Sequence, residues 1–351
     1  MNAMTAALEK LVARKDLTEA EAEAAMKSIM SGESTHSQMS AFLTSLRAKG
    51  ETVDEITAFA RVMREFAARI KPKVDGVLVD TCGTGGDAIK TFNISTAAMF
   101  VAAGAGVKIA KHGNRSVTSK SGSADVVEAL GVRVDLPPEA VRRCIEDVGM
   151  GFMYAPVFHA AMKYAAPVRR ELGIRTVFNV LGPLTNPAGA EAQVVGVYDG
   201  VLTEKLARVL GRLGCKRAMV VHGVDGLDEI STLGETKISE LDDGAVRTHF
   251  IKPEDFGIAR TTPDFIAGDG PSGNSQILLR VLREEIGPLR DIILLNAAAA
   301  IVVGGKAHDI REGIALAADS IDSGHAYEKV VQLVEATGGD IGKLRNLEAS
   351  L

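Results

Sequence analysis

The sequence contains no tryptophan, and aromatic residues make up only 4% of it, so it offers few platforms on which the bases of single-stranded nucleic acid could stack. An excess of positive charge is missing as well. The formal net charge is -5 at pH 7, and the field of the whole molecule opposes a polyanion such as duplex DNA. A small anionic ligand therefore needs a local basic pocket. The three cysteines, Cys82, Cys144 and Cys215, lie far apart and lack the CxxC spacing of a zinc site or redox dithiol, a usage that fits a reducing compartment. No run is long and apolar enough for a signal peptide or a membrane span. The N-terminus MNAMTAALEKLVARK has no apolar core, and the most apolar stretch, Ile292 to Val303, is too short to cross a bilayer. A cytoplasmic protein with neither a membrane nor a nucleic-acid partner is expected.

What is present is enough chain for two domains: 351 residues exceed the size at which single cores usually stop growing. The first seventy or so residues read as helices only. Thr18 with Glu21, Thr35 with Gln38 and Thr52 with Glu55 form capping boxes, each ahead of apolar residues at helical spacing, and Lys71-Pro72 is expected to stop the third helix. From Val77 the pattern changes to short apolar runs, glycine-rich turns and alanine-rich helices. Val77 to Val79, Val107 to Ala110, Val194 to Tyr198 and Ala218 to Val221 read as strands. This alternation predicts an α/β fold: a small all-helical N-terminal domain plus a larger α/β domain with a mainly parallel central sheet. The expected division is 1-72 for the helical domain and 76-157 with 188-351 for the α/β domain. Part of 158-187 would pack against the helices and form a hinge, with Phe158 to Leu172 as a helix and Arg175 to Pro187 as a return.

The unusual residues lie in loops after strands, where ligands collect in such sheets. The first strand runs through Asp80 into Thr81-Cys82-Gly83-Thr84-Gly85-Gly86-Asp87, followed by Asn93-Ile94-Ser95-Thr96 at the start of an alanine-rich helix. Glycines let backbone N–H groups approach an anion closely, and a helix N-terminus adds unpaired donors. The run is neither GxGxxG nor GxxxxGK[ST], so neither a dinucleotide site nor a Walker loop is supported. A tight strand-to-helix turn capped by Asn93 or Ser95 would present the same glycines. The second strand ends in Lys111-His112-Gly113-Asn114-Arg115-Ser116-Val117-Thr118-Ser119-Lys120-Ser121-Gly122-Ser123, where cations are interleaved with small hydroxyl residues suited to phosphate oxygens. Adjacent acids, Asp228-Glu229, follow the strand that ends in Val220-Val221-His222-Gly223. Magnesium needs only one or two carboxylates beside substrate phosphates, so the pair is a candidate metal site, although surface acids are common.

GTGGD, NIST and KHGNRSVTSKSGSAD closely resemble the anthranilate phosphoribosyltransferase family. The resemblance continues through Val168 to Gly173, Phe178 to Pro187, Val221-His222-Gly223 with Asp228-Glu229, and Leu295-Asn296-Ala297, nearly the whole chain. It implies a homodimer joined through the helical part, with Mg2+ as cofactor and anthranilate and phosphoribosyl pyrophosphate as substrates. Carried over by motif, Gly83, Gly86, Asp87, Thr91, Asn93, Ile94, Ser95 and Thr96 hold phosphoribosyl pyrophosphate. Lys111, His112, Gly113, Asn114, Arg115, Ser116, Val117, Thr118, Ser119 and Ser123 close over it. Ser95, Asp228 and Glu229 match magnesium contacts. Gly83, Asn114, His159 and Arg169 match anthranilate contacts. Two departures stand out: His159-Ala160 where the family often has His-Pro, and Gly268-Asp269-Gly270-Pro271, a looser version of its glycine-rich turn.

The reaction implied is displacement at the ribose anomeric carbon by an amine already neutral near pH 7. It calls for positioning and electrostatics rather than a covalent intermediate, with His112 at most orienting the amine or taking a proton late. Two other readings of this architecture are a pyrimidine nucleoside phosphorylase, whose glycine-rich signature differs, and a nucleic-acid-binding relative, which the charge opposes.

Overall fold

The computed structural model describes residues 2-86, 89-116 and 121-351. Asp87, Val117, Thr118 and Ser119, all expected at the phosphoribosyl pyrophosphate site, lie outside the described residues. The chain opens with helices α1 (Ala3–Val12), α2 (Glu19–Met30), α3 (His36–Lys49) and α4 (Val53–Glu65). All three expected capping boxes are formed, each threonine hydroxyl on the N3 backbone and each N3 side chain returned to the cap. One expectation is corrected. Helix α4 ends at Glu65, well before Pro72, because the next backbone donors are taken elsewhere: Ala68 N–H bonds Phe158 O and Ile70 N–H bonds Pro187 O.

The α/β part then runs β1 (Leu78–Gly83), α5 (Ile94–Gly104), β2 (Lys108–Gly113), α6 (Ser123–Ala129), α7 (Pro138–Val148) and β3 (Met150–Tyr154). The expected helix from Phe158 to Leu172 is broken into α8 (Ala155–Phe158), a 3-10 turn at Ala160–Lys163 and α9 (Ala166–Leu172). Pro167 explains the second of these breaks, before α9. It sits in the first turn of α9, where its missing N–H costs nothing, and it could not continue a helix arriving from Phe158. The return holds the short helix α10 (Phe178–Leu181), after which come β4 (Ala192–Gly196), two residues earlier than expected, α11 (Leu202–Arg212) and β5 (Arg217–Gly223). The chain closes with β6 (Thr236–Asp242), β7 (Ala245–Ile251), α12 (Pro271–Leu282), α13 (Pro288–Val303), α14 (Ile310–Asp322), α15 (His325–Ala336) and α16 (Ile341–Glu348).

The seven strands form one sheet in the order β3-β2-β1-β4-β5-β6-β7, parallel from β3 to β5 and antiparallel at β6 and β7. The chain winds outward from β1 to β3 and then crosses to the other side of β1 as β4. That reversal places a crevice at the carboxyl end of β1. Side chains alternate between two cores with the period of the pleat. Val194, Met219 and Val221 face a core shared with α5 and α13, whereas Val195, Ala218 and Val220 face a second core shared with α11 and the N-terminal helices. The apolar stretch Ile292 to Val303 lies wholly inside α13 and is buried throughout. Among the described residues no helix is long and apolar enough to cross a membrane.

Candidate active site

The crevice beside β1 gathers three loops. At the first, Asp228 reaches across from the loop after β5, and its Oδ2 accepts the N–H of Gly85 at 2.8 Å. Space rather than turn geometry explains two of the glycines beneath it. A Cβ on Gly83 would lie 2.6 Å from Asp228 Oδ2, and one on Gly196, at the end of β4, only 1.5 Å from the Asp228 carbonyl oxygen. The acid is thus seated on bare backbone. Burial pushes the Asp228 carboxyl above its usual range, only partly offset by the N–H of Gly85 and by Arg175.

Glu229 turns the other way, toward the start of α5, where its Oε1 accepts the N–H of Ser95 at 3.2 Å. The adjacent carboxylates therefore clamp the glycine turn and the helix N-terminus together. Asn296 of α13 fixes the backbone behind them: Oδ1 accepts the N–H of Ile230 and Nδ2 donates to its carbonyl, both at 2.9 Å.

Lys111 occupies an unexpected place. Instead of opening a loop it lies inside β2, 2% exposed, where its Nζ donates to the carbonyl of Thr81 and approaches Ser95 Oγ at 3.4 Å. Next to it Asp80 is fully buried, with one oxygen accepting the backbone N–H of His112 at 3.1 Å and the other Nδ2 of Asn186 at 2.8 Å. Burial lowers the pKa of Lys111 and raises that of Asp80, each opposed by the other's charge. This pair ties β1 to β2 beneath the crevice, and it includes an acid that sequence reasoning treated only as a strand end.

The second loop folds back on α6. The Asn114 carbonyl accepts the N–H of Ala124, and Ser116 N–H bonds Asp125 Oδ2 at 3.2 Å. Arg115 forms ion pairs with Asp125 at 2.9 Å and Glu128 at 2.7 Å and lies against Tyr154, so its charge is spent on its own side of the loop. Gly113 packs so tightly that a Cβ would meet Ser123 Oγ at 2.4 Å, and Thr91 makes an isolated antiparallel bridge with Ala267. The side chains of Ile94 and Thr96 point into the core, leaving only backbone for a ligand there. Asn93 does not cap α5 with its side chain.

Of the four expected anthranilate contacts, Gly83 and Asn114 lie in the loops described above, and the other two are His159 and Arg169. His112 and His159 pack ring on ring, centroids 4.9 Å apart, and Nδ1 of His112 lies 3.3 Å from the carbonyl of Gly182. A proton on that Nδ1 makes the bond and leaves Nε2 an acceptor; in both rings Nε2 is buried without a partner among the described residues. Burial holds both neutral, at about 3 for His112 and about 4 for His159. Arg169, on α9, stacks over Phe178 at 5.3 Å, and burial lowers its pKa. No carboxylate pairs with it among the described residues. A stacked guanidinium without a counter-ion suits a planar carboxylate.

Arg175 also escaped sequence reasoning. Its guanidinium lies 4.1 Å from the centre of the Tyr198 ring and donates to the carbonyl of Gly86, whose φ of +79° admits little but glycine. Its position at the head of a Gly/Pro-rich return gave no signal.

Could these residues hold magnesium? No group of three or more His, Cys, Asp or Glu side chains with metal-binding geometry occurs among the described residues. Magnesium does not require one, since a carboxylate or two suffices when substrate phosphates and water complete the shell. Asp228 and Glu229, hard oxygen donors beside the glycine turn and the start of α5, fit that role.

Residues 75-327 match the glycosyl transferase family a/b domain, and residues 5-67 match the glycosyl transferase family helical bundle domain. The chain is 57% identical over 334 residues to the anthranilate phosphoribosyltransferase of Symbiobacterium thermophilum, covering 95% of this chain and 98% of that one. The crystal structure of anthranilate phosphoribosyltransferase from Thermus thermophilus superposes with a TM-score of 0.89 at 44% identity, covering 94% of this chain and 99% of that one. The Saccharomyces cerevisiae enzyme in complex with PRPP and Mg gives a TM-score of 0.87 at 29% identity, covering 95% of this chain and 98% of that one. The same yeast enzyme in complex with 4-fluoroanthranilate gives 0.86 at 28% identity, with coverage of 95% and 98%.

Proposed function

The chain belongs to the anthranilate phosphoribosyltransferase family, and from that premise we propose that it transfers the phosphoribosyl group of phosphoribosyl pyrophosphate to the amino group of anthranilate, in tryptophan biosynthesis. The observation that carries the reading is the clamp formed by Asp228 on Gly85 and Glu229 on Ser95, which joins a glycine turn, a helix N-terminus and two hard oxygen donors in one crevice. Gly83, Gly86 and Asn93 with the Lys111 to Ser119 region and Ser123 take the phosphoribosyl pyrophosphate. Asp228, Glu229 and Ser95 hold magnesium. The bound ion shares the charge of the departing pyrophosphate.

The amine nitrogen bonds to the anomeric carbon as the bond from that carbon to pyrophosphate breaks. Arg169 receives the anthranilate carboxylate, and Nε2 of His112 accepts a hydrogen bond from the amine and orients it. A ring held neutral to about pH 3 is too weak a base to drive the attack. The amine therefore loses its proton to solvent after bonding has begun, and the barrier is lowered by placement and charge.

The same proposal includes the division into a helical unit of 1-72, with part of 158-187, and an α/β unit of 76-157 and 188-351. It includes a cytoplasmic homodimer joined through the helical unit, a surface where Val12 and Tyr164 are exposed apolar residues. The acidic balance supports the absence of a nucleic-acid partner. The test is loss of anthranilate fluorescence on mixing purified protein, phosphoribosyl pyrophosphate and magnesium. Loss only with all three supports the reading; no loss with all three refutes it.

A further inference from the structure

The departing turn at Gly268 to Pro271 leads into a buried asparagine with a fixed polarity. Asn274, 2% exposed in the first turn of α12, accepts the N–H of Asp269 at its Oδ1, at 2.7 Å. Only an oxygen can accept that bond, so the amide nitrogen faces the other way and donates to Oδ1 of Asn93 at 2.9 Å. Asn93 in turn is left with its own amide nitrogen toward the carbonyl of Ser121, at 3.3 Å. The orientation of one amide thus sets the next, and the chain of bonds ends on the second loop. It also draws the Asn93 side chain off the N-terminus of α5, where an asparagine N-cap would ordinarily bond.

The neighbouring contacts run in the same direction. Gly268 N–H bonds the carbonyl of Lys90 at 3.1 Å, and a Cβ on Gly268 would come within 2.4 Å of the Thr91 carbonyl oxygen. Ser275, the residue after Asn274, donates to the carbonyl of Val126 in α6 at 3.1 Å. One turn of α12 therefore reaches the first loop through Asn274 and the helix after the second loop through Ser275.

We propose that Asn274 is a positioning residue for phosphoribosyl pyrophosphate, setting the amide of Asn93 and, through it, the spacing between the two loops that grip the phosphates. The inference rests on the function proposed above, and Asn274 acts through Asn93 rather than on the substrate. Asn274→Ala breaks the chain at its source. It is expected to raise the KM for phosphoribosyl pyrophosphate about tenfold, the size of one lost buried hydrogen bond, and to weaken binding of phosphoribosyl pyrophosphate with magnesium by calorimetry to the same extent. The KM for anthranilate should stay within about twofold of wild type. Asn274→Asp keeps the volume and the acceptor for Asp269. Its second oxygen must instead accept from Asn93, turning that amide over and releasing Ser121, so the same one-sided loss is expected of a variant of unchanged shape. Should Asn274→Ala not fold, the isosteric variant carries the test alone. Unchanged calorimetric affinity and KM in the folded variants would overturn the proposal, as would an equal rise of both Michaelis constants, which marks a structural residue. Failure of the wild-type protein to bind phosphoribosyl pyrophosphate would instead overturn the proposed function, and this inference with it.

Discussion

Asn296 grips Ile230 by both ends of its polar backbone, taking the N–H and returning a donor to the carbonyl, each at 2.9 Å, one residue past Glu229. The third bond of the asparagine, from Nδ2 to the carbonyl of Ile292 at 2.8 Å, anchors it to its own helix. The position of the Asp228-Glu229 pair thus depends on a buried side chain bonded to the backbone of the residue that follows it.

Replacing Asn296 with Leu keeps the volume but leaves the N–H and carbonyl of Ile230 buried without partners. Each such group costs roughly 1 to 3 kcal/mol, so a loss of about 2 to 6 kcal/mol is expected from urea unfolding. The magnesium concentration for half-maximal activity should rise as well. Unfolding at the wild-type midpoint would show that the bonds to Ile230 contribute nothing.

Asp228→Asn together with Glu229→Gln should raise the magnesium requirement and lower turnover strongly, because neutral amides are weaker ligands for a hard cation than carboxylates. Titrating magnesium against activity checks this. An unchanged requirement would remove the pair from the metal site.

Arg169→Ala should weaken anthranilate more than phosphoribosyl pyrophosphate, since a charge-assisted hydrogen bond of roughly 1.5 to 3 kcal/mol corresponds to about ten- to a hundred-fold in affinity. Both Michaelis constants are measured on the same preparation. An equal change in the two would assign Arg169 to the framework of the site.

His112 and His159 are held neutral by burial, at about 3 and about 4 against the usual 6.5. The unfolded chain therefore binds more protons than the fold between pH 6.5 and these values, and the associated stability, complete above 6.5, is lost as the pH falls through that window. His112→Gln should make the decline of unfolding free energy with acidity shallower. In the rate profile between about pH 6 and 9, no ionisation assignable to His112 is expected, and the variant should keep measurable turnover, reduced by no more than about 10² to 10⁴. A steep step near neutrality that vanishes with nearly all activity in the variant would make His112 an obligatory base.

The local signals in the sequence transfer well to the structure. Thr18, Thr35 and Thr52 cap the helices their spacing predicts, because a capping box is closed by residues three apart and needs no tertiary help. The glycine turn follows β1 as its spacing predicts, although Gly83 and Gly196 prove to be bare for the sake of Asp228, a partner far away in sequence. Lys111 reads in the sequence as the start of a loop because its burial depends on Asp80 in the neighbouring strand. Strands β6 and β7 escape the strand pattern, yet a signal is there: Asp243-Gly244 joins them, both with positive φ, as a two-residue hairpin turn demands. Pro167 is the local clue to the second break in the expected helix from Phe158.

The alternation along β4 and β5 joins the N-terminal helices to the sheet through α11, and the seam is bonded as well as packed. Arg64 donates to the carbonyls of Leu184 and Leu213 at 2.8 and 3.0 Å, and Lys205 donates to the carbonyl of Glu51 at 2.7 Å. A boundary drawn between sequence families thus crosses a continuous apolar interior. Heating should accordingly melt the helical bundle and the back of the sheet as one cooperative block, giving a single calorimetric transition across this seam rather than an early loss of the first seventy or so residues. Expressed alone, those helices would leave bare the face of α4 that α11 covers, and should precipitate or self-associate rather than persist as a free domain.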